Sequence, residues 1–474
     1  MFDFHHIEEP LLEFGIDDHY CPRQGINNYD VYDTRFEARK RELLIGIVGI
    51  SEDIEKLDNW IERCKGPIPG KANSKQPQLF THFCGFNENT GFRSRIITSS
   101  EITRKINNSD IKEVLEVKDW NARVSSAVEL FYNHIKFIAQ NKLVDVVVCV
   151  VPKEFEKSIV KDETPSDIEE TAEDSKKPEL EINFRRALKA KSMHLGKPIQ
   201  LIREYSLKDS TKTQDPATKA WNFCTALYYK AMQTVPWKLK RDSNLGSVCH
   251  VGISFYRSRD KKSVQTSLAQ IFNEHGNGVI LRGTPVDIDK SDRQPHLTEE
   301  QAFQLLSEAL KEYKFALKNL PGRLVLHKTS NFSENELAGF SAAVKQSGIH
   351  SHDFVTVQDT EIRFFRDGLY PPLRGSMISL DDKRHILYTR GSVEYYRTYP
   401  GLYIPAPLEI RIVESDVSPK ILCEEILALS KMNWNNTQFD GKYPITIGCA
   451  RKVGEIMKYL EPSEKPQIRY AFYM

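Results

Sequence analysis

The sequence predicts two α/β domains, and three observations predict them. The chain has 474 residues, too long for a single compact core. Apolar runs that suit strands alternate with helical patterns in both halves, as expected of sheets with helices packed on their faces. The strand runs are continuously apolar rather than alternating, which is the signature of a sheet covered on both sides. Composition agrees: 40% hydrophobic and 28% charged residues fit a soluble globular chain, not a disordered one.

In order along the chain, "LIGIVGI" (44–50) reads as a buried strand, and "SEDIEKLDNWIERC" follows with apolar residues at helical spacing and Ser51 as N-cap. "VDVVVCVVP" (144–152) is a second strand buried on both faces. The stretch 161–181 is acidic and poor in large apolar groups, so it is expected to be a mobile loop. A helix is expected from Ile182, a short strand at "PIQLI" (198–202) and an amphipathic helix at "KAWNFCTALYYKAM" (219–232). "VPWKLK" (235–240) marks a domain junction. Beyond it come the strands "VCHVGISFYRS" (248–258), "GVILRG" (278–283) and "RLVLHKT" (323–329), with helices at 298–317 and 331–346. The expected division is an N-terminal segment, 1–40, packing on the second domain, then domains at 41–238 and 239–474. There is no internal repeat.

Several classes are excluded. A formal net charge of +1 means that any nucleic-acid surface must come from local clustering of Lys and Arg. Eight cysteines are scattered with no CxxC pair, which argues against zinc and a disulfide framework and fits a reducing cytoplasm. No apolar run approaches the ~20 residues of a membrane helix, and the start of the chain lacks the pattern of a signal peptide.

Two groups of residues carry chemistry. Arg185 and Lys189, four apart, share one helix face. With Gln200, expected at the end of its strand, and Lys230, in the last turn of the next helix, they can converge at the carboxyl edge of a parallel sheet. A terminal phosphate suits such donors. Spacing alone also fits the blander reading, two cations on a solvated helix face. The second group is defined by what it lacks. An RNase-H-like nuclease holds two divalent ions with carboxylates at strand ends. The corresponding places here carry Ser254, Thr329 and the "NWNN" stretch with Asn433 and Asn436, all neutral. Neutral side chains cannot offset two dications.

These segments together resemble a short prokaryotic Argonaute made only of MID and PIWI domains. The likeness rests on "IEEPLLEFG", "FRRALKAKSMHLGKPIQLIRE", "NFCTALYYKAMQTVPWKL", "VGISF", "LVLHKT", "FFRDGLYPPLRGS", "LYTRGSVEYYRTYPGLYIPAPLEIR" and "LALSKMNWNN…YPITIGCARKVGEI", in that order. The resemblance implies a Rossmann-like MID domain and an RNase-H-like PIWI domain. It assigns Arg185, Lys189, Gln200 and Lys230 to the guide 5′-phosphate, with arginine in a place usually held by Tyr or His. It also implies that the carboxylate of Met474 helps hold Mg2+ at the guide 5′ end. The acidic tetrad is degenerate at Ser254, Thr329 and the Asn433–Asn436 stretch, and its glutamate is not singled out among Glu274, Glu299 and Glu300. The implied function is a cytoplasmic sensor that binds guide RNA and recognises single-stranded target DNA without cutting it. It would then activate a partner carrying an APAZ domain and an effector: a sirtuin-like or TIR domain that consumes NAD, or a nuclease. A heterodimer, and a higher oligomer on activation, follow from the same likeness.

The enzyme alternative is a guide-directed endonuclease with a rebuilt metal site using Asp367, Asp381 or Asp440. His5 and His6 lack a third ligand at metal spacing, and His327 on its buried strand reads as a packed imidazole. The tyrosines of "VEYYRTYPGLY", with Arg390 and Arg397, fit either a nucleic-acid groove or a half-buried hairpin.

Overall fold

The computed structural model describes residues 3–160, 182–208, 214–240, 246–260, 263–271, 278–288, 291–401, 403–461 and 464–474. The acidic stretch 161–181 and Glu274 lie outside the described residues. The chain opens with β1 (Asp3–His6), β2 (Leu12–Glu13), β3 (Asp18–His19) and α1 (Pro22–Tyr29).

The first sheet comprises β4 (Glu42–Gly49), β5 (Arg95–Ile97), β6 (Thr103–Lys105), β7 (Val146–Val151) and β8 (Ile199–Arg203). Its order is β5-β4-β7-β8, with β6 also on β4, and every pairing is parallel. Its helices are α2 (Ser51–Lys65), α3 (Asn108–Glu116), α4 (Trp120–Asn141), α5 (Lys153–Ser158), α6 (Phe184–Ser192) and α7 (Pro216–Met232). The pleat explains why β7 is apolar throughout. Val146, Val148 and Val150 pack with Leu57 of α2 and Leu227 of α7, while Val147, Cys149 and Val151 pack with Phe131 and Ile135 of α4. Ser51 is the first helical residue rather than the N-cap. The backbone leaves extended conformation at Ile50, and Glu52 and Asp53 in the first turn complement the helix dipole instead. Helix α7 is longer than its apolar pattern, because Asp215 caps it and Pro216 opens it.

At the junction, β9 (Lys238–Leu239) pairs with β2. The second sheet is built on β10 (Val248–Arg257), β11 (Val264–Ile271), β12 (Gly278–Val286), β13 (Arg323–Lys328), β14 (Ser351–Asp359), β15 (Ser376–Ser379), β16 (Arg384–Leu387) and β17 (Leu408–Ser415). Its nine strands run β1-β15-β16-β17-β14-β13-β10-β11-β12. Strands β10 to β12 form an antiparallel meander, and β13 and β14 then run parallel to β10. Helices α8 (Glu299–Leu317) and α9 (Glu334–Ser347), each opened by a capping box, cover one face. Helices α10 (Pro419–Leu429) and α11 (Ile445–Met457) cover the other.

The N-terminal segment touches both halves. β1 joins the second sheet opposite Ser376–Ser379, whereas Leu12, Phe14 and Ile26 enter the core of the first domain. Glu9 anchors it between two buried cations, Arg374 (Nε–Oε2, 2.9 Å) and Lys431 (Nζ–Oε1, 2.7 Å). Among the described residues no helix is long and apolar enough to cross a membrane.

Candidate nucleic-acid interface

Arg185, Gln200 and Lys230 of the first group come together along the edge strand β8. Helix α6, capped by the Asn183 side chain, carries Arg185 and Lys189, and Gln200 is the second residue of β8. Lys230, in the last turn of α7, donates from Nζ to Gln200 Oε1. Lys189 and Lys230 are only 3% and 1% exposed, whereas Arg185 is exposed and Gln200 half-buried. Lys189 therefore does not decorate a solvated face. Burial, then the positive charges of Arg185 and Lys452, hold the Lys230 ammonium well below the ordinary lysine range. A buried cation bonded to a neutral amide and flanked by further cations is a place that an anion stabilises.

Two features differ from expectation. Gln200 does not end its strand: β8 continues to Arg203, and Gln200 lies opposite Val148 within β7. The cluster thus sits beside the sheet edge, toward the amino ends of the strands, because the C-terminal turn of the returning helix α7 is what reaches it. The second feature is Lys452, contributed by α11 of the other half. Sequence spacing does not connect Lys452 with Lys230; only the packing of α11 against α6 does. That packing is fixed by Arg186 Nη1 to Glu455 Oε2 (2.6 Å) and by Asn183 N–H donating to Tyr459 Oη (3.0 Å). The tail closes the same region. Gln467 Nε2 donates to Met193 O (3.0 Å), and Met474, 1% exposed, shares a core with Ala190, Tyr229 and Met232. Among the described residues no three His, Cys, Asp or Glu side chains converge to hold a metal ion.

The second group lies at the carboxyl edge of the second sheet. β10 and β13 are parallel, with Ile253 opposite Lys328, so Ser254 and Thr329 stand side by side one residue further on. Thr329 N–H donates to Ile253 O (3.2 Å), and Gln358 Nε2 from β14 donates to Thr329 O (3.1 Å). Ser254 pairs with Ser267, whose hydroxyl donates to Ala450 O of α11 (2.7 Å), so this face of β10 looks at α11. Asn433 and Asn436 are not there. Trp434 between them stacks on Tyr229 of α7 (5.1 Å between ring centroids) and donates from Nε1 to Trp237 O (3.2 Å). The two asparagines accept from the backbone two residues on, as turn residues at the junction. Helix α11 occupies the edge instead, with Arg451 and, just before it, Lys442 and Tyr443 gathered on Asp359.

The remaining candidates are dispersed. Asp381 closes a turn with Arg384 (2.7 Å), Asp367 is exposed on the connection after β14, and Asp440 is buried near Arg374 and Arg390, its carboxyl pushed up by burial. Glu299 and Glu300 lie in the first turn of α8. His5 pairs with Asp3 (2.8 Å) in exposed β1. His327 is fully buried, bonded to Thr446 Oγ1 (2.9 Å), and burial pushes it down to about 3, so it stays neutral. Tyr396 is core, donating to Cys21 Sγ (2.9 Å), whereas Tyr395, Arg397 and Tyr403 are exposed.

The architecture has known counterparts. The chain superposes on the structure of Clostridium butyricum Argonaute bound to a guide DNA and a 19-mer target DNA with a TM-score of 0.68 and 18% identity, covering 99% of this chain and 54% of that one. Marinitoga piezophila Argonaute in complex with a 5′ OH guide RNA gives 0.58 and 13%, covering 99% and 59%. In sequence, 241 residues are 26% identical to Argonaute of Aquifex aeolicus, 49% of this chain and 30% of that protein. The chain is Argonaute-like. No protein-family model matches it, and it spans a little over half the length of these solved structures and matches under a third of the Aquifex protein. The first sheet, and the second with its β12-β11-β10-β13-β14 order, are consistent with the MID and RNase-H-like PIWI domains of that fold.

Proposed function

We propose that this Argonaute-like chain is a guide-directed sensor that holds the 5′-phosphate of a guide RNA between MID and PIWI and recognises single-stranded DNA by base pairing without cutting it. The observation that carries the reading is the Lys230 ammonium, buried on a neutral amide beside Arg185 and Lys452. A phosphate dianion would meet the cations of this cluster through charge-assisted bonds worth about 1.5–3 kcal/mol each. Sequence readout then belongs to pairing while protein cations hold the backbone. The neutral pair Ser254 and Thr329 supports recognition without hydrolysis.

The wider proposal follows the family likeness. Target pairing activates an APAZ-containing effector chain, NAD-consuming or nucleolytic, in the cytoplasm, as a prokaryotic defence by cell death or arrest. Mg2+ enters as a proposal too: the Met474 carboxylate and the guide phosphate would be its ligands, since hard dications take oxygen.

A neighbour holds a 5′ OH guide, so the 5′ group is the variable to change. Lys230→Ala or Lys189→Ala should weaken a 5′-phosphorylated guide RNA about 10- to 100-fold and a 5′-hydroxyl guide far less, measured by filter binding. Guide retention that falls in EDTA would support the ion. Equal losses for both guides would refute the phosphate pocket.

A further inference from the structure

At the carboxyl edge of the PIWI sheet a set of side chains stands that the guide pocket does not use. Asp359 ends β14, next to Gln358, which bonds Thr329. Its carboxylate accepts from Tyr443 Oη (2.6 and 2.7 Å) and from Lys442 Nζ (2.8 Å), and Arg451 Nη2 lies 3.9 Å away. Arg451 is stacked over the Tyr443 ring, its guanidinium carbon 4.0 Å from the centroid, and its side chain is 37% exposed. Burial alone would raise the Asp359 carboxyl, but the Lys442 and Tyr443 bonds and the Arg451 charge outweigh it and keep it ionised. Asp359 thus faces two cations, and Arg451 carries its positive charge on a partly exposed side chain.

Its position gives that charge a use. Arg451 follows Ala450, the residue whose carbonyl accepts from Ser267, and Ser267 is the cross-strand partner of Ser254. Gly252 and His327, which share strand faces with Ser254 and Thr329, both touch Thr446 one turn earlier in α11. The cations therefore border the strand ends where a metal-dependent nuclease of this fold would place its ions. A guanidinium held over an aromatic ring, on a partly exposed side chain, can offer the fork of donors that binds phosphate.

We propose that the PIWI edge formed by Ser254, Thr329, Lys442 and Arg451 is a metal-independent phosphodiester site, in which the two cations hold a backbone phosphate of the target strand where a cleaving relative would bind metal. The inference rests on the sensor reading and deepens it: these residues make the would-be cleavage site a clamp.

The test uses the full chain loaded with 5′-phosphorylated guide RNA, titrated with complementary single-stranded DNA in EDTA over a range of salt. Arg451→Glu should lower target affinity about tenfold or more and flatten the log K against log salt slope by about one, while guide affinity stays the same. A scan of single uncharged methylphosphonate linkages along the target should find one position that costs the wild type about fivefold and the variant nothing. Arg451→Ala, which leaves the Tyr443–Asp359 bond in place, serves if charge reversal disturbs folding. Unchanged target affinity and salt slope in a variant that still holds guide would overturn the clamp alone. Target binding by the wild type that vanishes in EDTA while the guide stays bound would overturn its metal independence. A wild type that holds no guide would sink the sensor reading on which the clamp rests.

Discussion

A lysine ammonium that is 1% exposed and bonded to a neutral amide is a costly arrangement in a free protein. Lys230→Met should therefore stabilise the guide-free chain by about 1–4 kcal/mol while abolishing preference for a 5′-phosphate, read from denaturant unfolding and guide binding together. The pH dependence has a definite sign. Burial, with Arg185 and Lys452, lowers the folded-state pKa of Lys230, so between that value and the ordinary lysine value the unfolded chain binds more protons. Guide-free stability should rise with pH across that window, and the rise should vanish in Lys230→Met. A bound phosphate favours the charged ammonium, so affinity for a 5′-phosphorylated guide should fall as pH rises through the same window. At this scale spacing and likeness singled out Arg185, Lys189, Gln200 and Lys230, and the fold brings Arg185, Gln200 and Lys230 together. Lys452 was not, because it approaches only through the packing of α11 on α6.

Helix α11 owes its place to a missing side chain. A Cβ on Gly252 would lie 2.3 Å from Thr446 O and 2.4 Å from its carbonyl carbon, backbone atoms that cannot swing aside. Gly252→Ala should cost about 1–3 kcal/mol, seen as a lower denaturant midpoint at unchanged m. The glycine of "VGI" thus answers to the helix above it rather than to the vacant edge beside it. Strands announced themselves as apolar runs because the helices on both faces leave them no polar side. Helix α4 was readable but was not singled out: Asp119 caps it, and Val124, Val128, Phe131, Ile135 and Ile138 follow at helical spacing. The "NWNN" stretch misled because its place is set by Trp434 stacking on Tyr229, a contact across the junction that no linear pattern reveals.

The molecule as a whole is arranged around its junction. Lys452 of α11 approaches Lys230 of α7, Met474 shares a core with Ala190 and Tyr229 of the first half, and Glu9 ties the N-terminal segment to Arg374 and Lys431. The proposed sensor would anchor one strand end at the junction and hold the duplex along the sheet edge that carries Ser254, Thr329, Lys442 and Arg451. Two α/β domains were predictable from strand and helix alternation; the approach of Lys452 from the second to Lys230 of the first was not. The most direct measurement incubates the guide-loaded chain with end-labelled complementary DNA in Mg2+ or Mn2+ and follows both retention and length of the target. The account predicts target held and full-length throughout; a product cut at one position opposite the guide would contradict it.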